Sequence, residues 1–150
     1  MKVCRSCPSV HDGRKWTVDR ERWGEMRGRE GVAEVLCEAC RRMRDRLVFG
    51  IVYLEGPVLV ERRDEILRMV RREEEIEANR NHLSRILDIQ EEGSKWTITT
   101  INQWMALHIA KQFKKAFKGR MEVDRDPSGR RGRGTKGRNA VVVKWRQSRD

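Results

Sequence analysis

Four cysteines constrain this chain more than any other feature. Cys4 and Cys7 form one C-x-x-C pair, Cys37 and Cys40 form another, and the 150 residues contain no other cysteine. A C-x-x-C turn aims two thiolates at one point. Two such turns complete the tetrahedral four-sulfur shell that suits zinc. A filled shell leaves no open position for water, so one Zn2+ held there is expected to be structural. Its binding energy then serves as folding energy for a segment with little apolar content. An iron–sulfur cluster uses the same donors. Two disulfides are disfavoured in a chain without a secretion signal, and neither pair sits in the β-α-β context of a redox C-x-x-C. The 29 residues between the pairs exceed common ribbon spacing, so they need a loop or helix of their own. His11, four residues after Cys7, is expected at the surface or beside the site, because four sulfurs already satisfy the metal.

Charge is distributed unevenly. Residues 1–110 carry 20 basic and 19 acidic side chains, whereas residues 111–150 carry 14 and 4. Nearly the whole net charge of +11 therefore lies in the last 40 residues. Such an excess attracts a polyanion; a solubilising tail is the plainer account. No apolar run approaches the ~20 residues that cross a bilayer, and Met1-Lys2-Val3-Cys4 contains no signal-peptide core. The expectation is a cytoplasmic protein without a membrane partner.

Hydrophobic patterning predicts an α+β fold in three parts: a four-cysteine module over 1–56, a linking helix over 57–82 and a small domain over 83–150. Val10 to Val18 reads as a turn into a short strand, and Asp19 to Arg29 as a short helix carrying Trp23. Leu47 to Leu54 reads as a strand leaving the module and stopping at Gly56-Pro57. Glu61 to Glu77 alternates Arg and Glu around an incomplete apolar stripe, the pattern of a solvated helix. Ile86–Gln90 and Lys95–Thr100 read as paired strands, with Trp96 and Ile98 on one face. Thr100 and Gln103 have capping-box spacing. Ile101, Trp104, Met105, Ile109, Phe113 and Phe117 recur at helical spacing, and Gly119 can close that helix. Strands near Arg120–Arg125 and Ala140–Trp145 complete β-β-α-β-β, a four-stranded antiparallel sheet covered by a helix. Trp96, Trp104 and Trp145 are placed at or near its core.

Two stretches are candidates for RNA contact. Lys111, Lys114, Lys115 and Lys118 fall at i, i+3, i+4 and i+7, opposite Phe113 and Phe117. Four like charges in two turns repel one another, and a phosphate backbone relieves that repulsion. Arg125, Arg130, Arg131, Arg133, Lys136 and Arg138 are interspersed with glycines. Glycine lets a backbone follow phosphates closely, and guanidinium forks pair with phosphate and stack on bases. Arg41, Arg42, Arg44 and Arg46 follow the second cysteine pair; they suit either phosphate contact or neutralisation of the metal site's negative charge. Trp16 and Trp23 suit either base stacking or packing over the module. His108 reads as a packing histidine. Three histidines, no nucleophile motif, no P-loop and no dinucleotide fingerprint point away from an enzyme or a small-molecule substrate.

Several of these residues together resemble a family: the small zinc-ribbon proteins of archaea and bacteria related to the ribosomal large-subunit export adaptor. The likeness runs through Cys4-x-x-Cys7 with His11-Asp12-Gly13-Arg14, Cys37-x-x-Cys40, Glu55-Gly56-Pro57-Val58-Leu59 and Arg63-Asp64-Glu65-Ile66-Leu67. It continues in Arg85-Ile86, Thr97-Ile98-Thr99-Thr100, Leu107-His108-Ile109-Ala110 and Val143-Lys144-Trp145. This chain is much shorter than the adaptor itself, and its Gly/Arg segment is more basic than expected of short relatives. The resemblance implies zinc and a ribosomal connection. The function expected is a ribosome-associated RNA-binding zinc protein, a ribosomal component or an assembly or hibernation factor, whose partners are rRNA and a ribosomal subunit. A DNA-binding, transcription-associated zinc ribbon is the alternative.

Overall fold

The first strands are too short to stand alone. In the computed structural model, which describes residues 1–125 and 140–149, Lys2–Cys4 (β1), Ser9–His11 (β2), Trp16–Val18 (β3) and Ala33–Val35 (β4) form a sheet in the order β3-β2-β1-β4. Each strand has three residues. β1 pairs antiparallel with β2, setting Val3 opposite Val10, and parallel with β4, setting Cys4 opposite Val35. The core beneath this sheet is little more than Val3, Val10, Ala39 and the cysteines. Helix α1 (Arg20–Met26) fills the gap between the cysteine pairs, and Asp19 caps it by accepting from the Arg22 N–H. Helix α2 (Glu38–Arg44) starts on the second pair.

The second sheet comprises Gly50–Glu55 (β5), Ile86–Glu92 (β6), Lys95–Thr100 (β7), Gly119–Asp124 (β8) and Val141–Gln147 (β9), in the order β6-β7-β5-β9-β8. Five strands replace the four expected, and the pairing is mixed: β5 runs parallel to β9 and every other pair is antiparallel. The added strand is the one expected to leave the cysteine module. Val52 and Leu54 point inward from β5 and are buried, so the strand needs a neighbour on each side and a covering layer. Helix α5 (Gln103–Ala116) supplies that layer. At Gly50 both neighbours come close: a Cβ there would lie 2.3 Å from Thr100 Oγ1 of β7 and 2.6 Å from the Ala106 Cβ of α5, which is why glycine interrupts an otherwise apolar run.

The segment expected as a solvated linker is part of the core. A short helix α3 (Val58–Glu61) leads into α4 (Arg63–Arg80). Leu59, Ile66 and Val70 are buried in the same cluster as Met105, Ile109, Phe113, Trp96 and Trp145. Further along α4 polar side chains take over: Glu74 accepts from the Ile86 N–H of β6, and Glu73 and Glu77 face α5. The helix start expected at Thr100 also shifts. Asn102 is the cap, its Oδ1 accepting from the Met105 N–H at 2.9 Å, while the Thr100 hydroxyl donates to the Asn102 carbonyl. At the other end α5 stops at Ala116. Gly119 opens β8, where a Cβ would lie 2.3 Å from Trp145 Nε1.

Together these elements give an α+β fold with an N-terminal cysteine module. The module packs on the second sheet's domain through Ile101, which lies against Cys4, Cys37 and Ala39, with Met43, Leu83 and Leu87 at its edge. No helix among the described residues is long and apolar enough to cross a membrane.

Candidate metal centre and basic face

The four cysteine sulfurs converge. Their Sγ atoms all lie within 4.8 Å of one another, with Cys4–Cys40 at 3.8 Å and Cys7–Cys37 at 3.6 Å. A tetrahedral zinc with bonds of about 2.3 Å has sulfur–sulfur edges of about 3.8 Å, so the donor set fits a four-coordinate thiophilic metal. Local geometry produces the convergence. Cys4 ends β1, Cys7 sits in the turn before β2, and Cys37 is the N-cap of α2 with Cys40 in its first turn. Backbone N–H groups of Ser6 and Cys37 donate to Cys4 Sγ, and the Cys40 N–H donates to Cys37 Sγ, at 3.3–3.4 Å. Such donors stabilise thiolate charge.

The thiols differ in proton affinity. Cys7 is driven well below the usual thiol range by hydrogen bonds with Cys37 and Cys40, helped by Ser9 and the Arg85 charge. Cys37 is driven up by hydrogen bonds with Cys40 and Cys7 and by burial. Four touching sulfurs cannot all ionise unaided, because each new thiolate repels the others. A cation among them removes that obstacle. The four cysteines can therefore hold a metal ion.

The aromatic residues of the module are used within it. Trp23 Nε1 donates to the Cys4 carbonyl at 2.8 Å, with the Arg27 guanidinium 4.4 Å from its ring. Trp16 packs against the cysteine cluster, its ring 5.2 Å from His11 and 5.9 Å from His82. His11 Nδ1 accepts from the Gly13 N–H and stays outside the sulfur shell. His82 Nε2 is buried with no hydrogen-bond partner among the described residues. Burial, then the neighbouring Arg85, holds its pKa down at about 4.

Of the arginines after the second cysteine pair only Arg42 turns inward; Arg41, Arg44 and Arg46 are exposed, and Arg41 has no ion pair among the described residues. Arg42 pairs with Glu38, donates to the Ile101 carbonyl at 3.0 Å and lies over the Phe49 ring. Arg44 pairs with Asp45 and Arg46 with Asp88. The open face of the second sheet is similarly mixed. A depression of about 960 Å³ there is lined by Tyr53, Lys95, Arg120, Lys144 and Arg146, yet also by Glu55, Glu92 and Glu122. Glu55 alone pairs with both Lys95 and Arg146.

Helix α5 is different. Lys111, Lys114 and Lys115 are exposed on it and carry no ion pair among the described residues. Lys118, expected on the same helix, lies just past its end, because Phe117 turns into extended backbone to reach Phe113 and Trp145. Lys114, Lys115 and Lys118 nonetheless border one shallow depression. Arg125 is exposed at the end of β8. Arg130, Arg131, Arg133, Lys136 and Arg138 lie outside the described residues.

Two placements on α5 differ from expectation. Trp96 and Trp145 are buried, but Trp104 is 58 % exposed. Met105, Ala106, Ile109, Ala110 and Phe113 already fill the helix face toward the sheet, leaving Trp104 on the outer side. His108 is also more than packing. Its Nε2 lies 3.1 Å from Glu77 Oε1 and its Nδ1 3.9 Å from Glu73 Oε1. Gln112 donates to Glu73 and Arg80 to Glu77, so the carboxylates are satisfied in a polar clamp between α4 and α5. The i, i+4 spacing of Glu73 and Glu77 is the sequence signal for it, masked by the surrounding run of charges. No protein-family model, no curated protein and no solved structure matches this chain.

Proposed function

We propose that this protein is a ribosome-associated RNA-binding protein whose N-terminal module is held by one structural zinc ion. Zinc is the ion that best suits four thiolates at tetrahedral spacing, with no need for an added ligand. The observation that carries the RNA reading is the unpaired lysine face of α5. Lys111, Lys114 and Lys115 stand together on a helix that carries no Asp or Glu, and none of them meets a carboxylate among the described residues. Lysines grouped without counter-charges repel one another, and an external polyanion supplies the missing charge. The Gly/Arg sequence between β8 and β9 adds six more cations at the level of sequence. The ribosomal connection rests on the family resemblance.

Cosedimentation with ribosomal subunits, with metal analysis of the bound protein, tests the proposal. The expected result is one zinc per chain and subunit-bound protein at low salt, released steeply as salt rises, because phosphate contacts exchange with counterions. Protein that stays at the top of the gradient at low salt contradicts the ribosomal reading. A preference for duplex DNA over structured RNA in direct competition favours a transcription-associated zinc ribbon instead.

A further inference from the structure

Trp104 is placed where hydrophobicity alone would not put it. Its ring is 58 % exposed, against 2 % each for Trp96 and Trp145, and the other two tryptophans pack on the cysteine module. At about 100° per residue, Trp104, Lys111 and Lys115 lie within about 20° of one line along the helix. Lys118 follows just beyond its end. Helix α5 contains no Asp or Glu, so this line is apolar and aromatic at its start and cationic at its finish. The start is rigid: Asn102 caps the Met105 N–H and donates to Ser84 Oγ, and Ile101 is clamped against the cysteine module by Arg42.

We infer that Trp104 is a stacking platform for an unpaired nucleobase, in RNA whose backbone runs along the lysines of α5. This deepens the RNA-binding reading and rests on it. An indole face matches a base face, and aromatic stacking is tolerant of sequence. Lysines at the far end of the line take phosphates as point charges. A continuous duplex hides the faces of its bases, so the ligand is a loop, a bulge or a single strand next to a helix.

The test uses the full-length zinc-loaded protein and two labelled probes: an RNA stem–loop with an unpaired loop, and a blunt RNA duplex of the same stem. Binding is read by fluorescence anisotropy across a salt series. Wild type is expected to prefer the stem–loop. Trp104→Leu should weaken stem–loop binding about ten-fold, within the range for loss of one stacked base, and leave duplex binding and the salt slope unchanged. Trp104→Phe should keep most of the affinity, since a π-face remains. Melting temperatures of both variants should match wild type, because the ring is exposed. Wild type that binds RNA but shows no preference for the loop, or a Trp104→Leu variant that binds the loop as wild type does, overturns the inference and leaves the RNA-binding reading standing. Wild type that binds neither probe at low salt overturns both.

Discussion

Two clusters of positive charge in this molecule have opposite surroundings. In α2 and the turn after it, Arg42, Arg44 and Arg46 meet Glu38, Asp45 and Asp88. On α5, Lys111, Lys114 and Lys115 meet no carboxylate among the described residues. By composition the two stretches look alike, and both were candidates for phosphate contact. What separates them is what lies opposite. Arg42 and Arg46 reach across the joint between the cysteine module and the second sheet, and Arg42 satisfies a carbonyl on Ile101, itself fully buried. The lysines sit on a helix whose other face is buried against the sheet, and they point away from the protein's own acids. A cationic stretch is informative about a partner only where the chain has not already neutralised it.

That contrast can be broken at several points. The largest effect is expected from the metal. Chelation, or Cys37→Ser, should unfold the module that carries the arginines, because structural zinc contributes on the order of 10 kcal/mol to folding such segments. The second sheet has its own core, so hydrogen exchange should show protection lost over residues 1–46 and retained in β5, β7 and β9. Uniform loss or uniform retention would show that the two regions are not separable. Next comes the lysine face. Replacing Lys111, Lys114, Lys115 and Lys118 with Gln should lower RNA affinity on the order of 100-fold at moderate salt and leave the melting temperature unchanged or slightly raised, since like charges are removed. The arginine side should behave in reverse. Arg42→Gln should cost about 1–3 kcal/mol of stability by leaving a buried carbonyl unpaired, with little change in RNA affinity.

The smallest effect sharpens the account of the joint. His82 has its pKa lowered from 6.5 to about 4 in the folded chain. The unfolded chain therefore binds a proton that the folded chain refuses. Stability is fully present above pH 6.5 and falls as pH drops toward 4. His82 is partly exposed, so solvent screening reduces the effect to on the order of 1 kcal/mol. His82→Leu should flatten the fall in melting temperature over that window relative to wild type, both measured with metal bound. Identical slopes would remove His82 from the acid response.

How much was legible in the sequence depended on whether local chemistry or distant contact decided the matter. The cysteine spacing has one geometric meaning, and the four sulfurs converge as expected. Alternation marked Trp96 and Ile98 correctly, because facing the core is a property of a strand by itself. It did not show which sheet β5 joins, since its partner β9 lies some 90 residues away in sequence and its pattern suits either sheet. Two residues near the start of α5 offered cap chemistry; Thr100 is still in β7, and Asn102 is the residue whose Oδ1 accepts from the Met105 N–H. Trp104 was misplaced because residues 101–117 hold more apolar side chains than one helix face can bury. The Glu73–Glu77–His108 clamp was hidden because two of its members resemble the solvated charges around them.

The central claim is that the lysines of α5 face a polyanion. The most direct measurement is the salt dependence of RNA affinity, wild type against the variant with all four lysines replaced by Gln. Each phosphate contact contributes about 0.7 to 0.9 to the slope of log K against log salt, so the variant's slope should be shallower by about 3. Equal slopes for the two proteins would mean that those lysines touch no phosphate, and the account would be wrong.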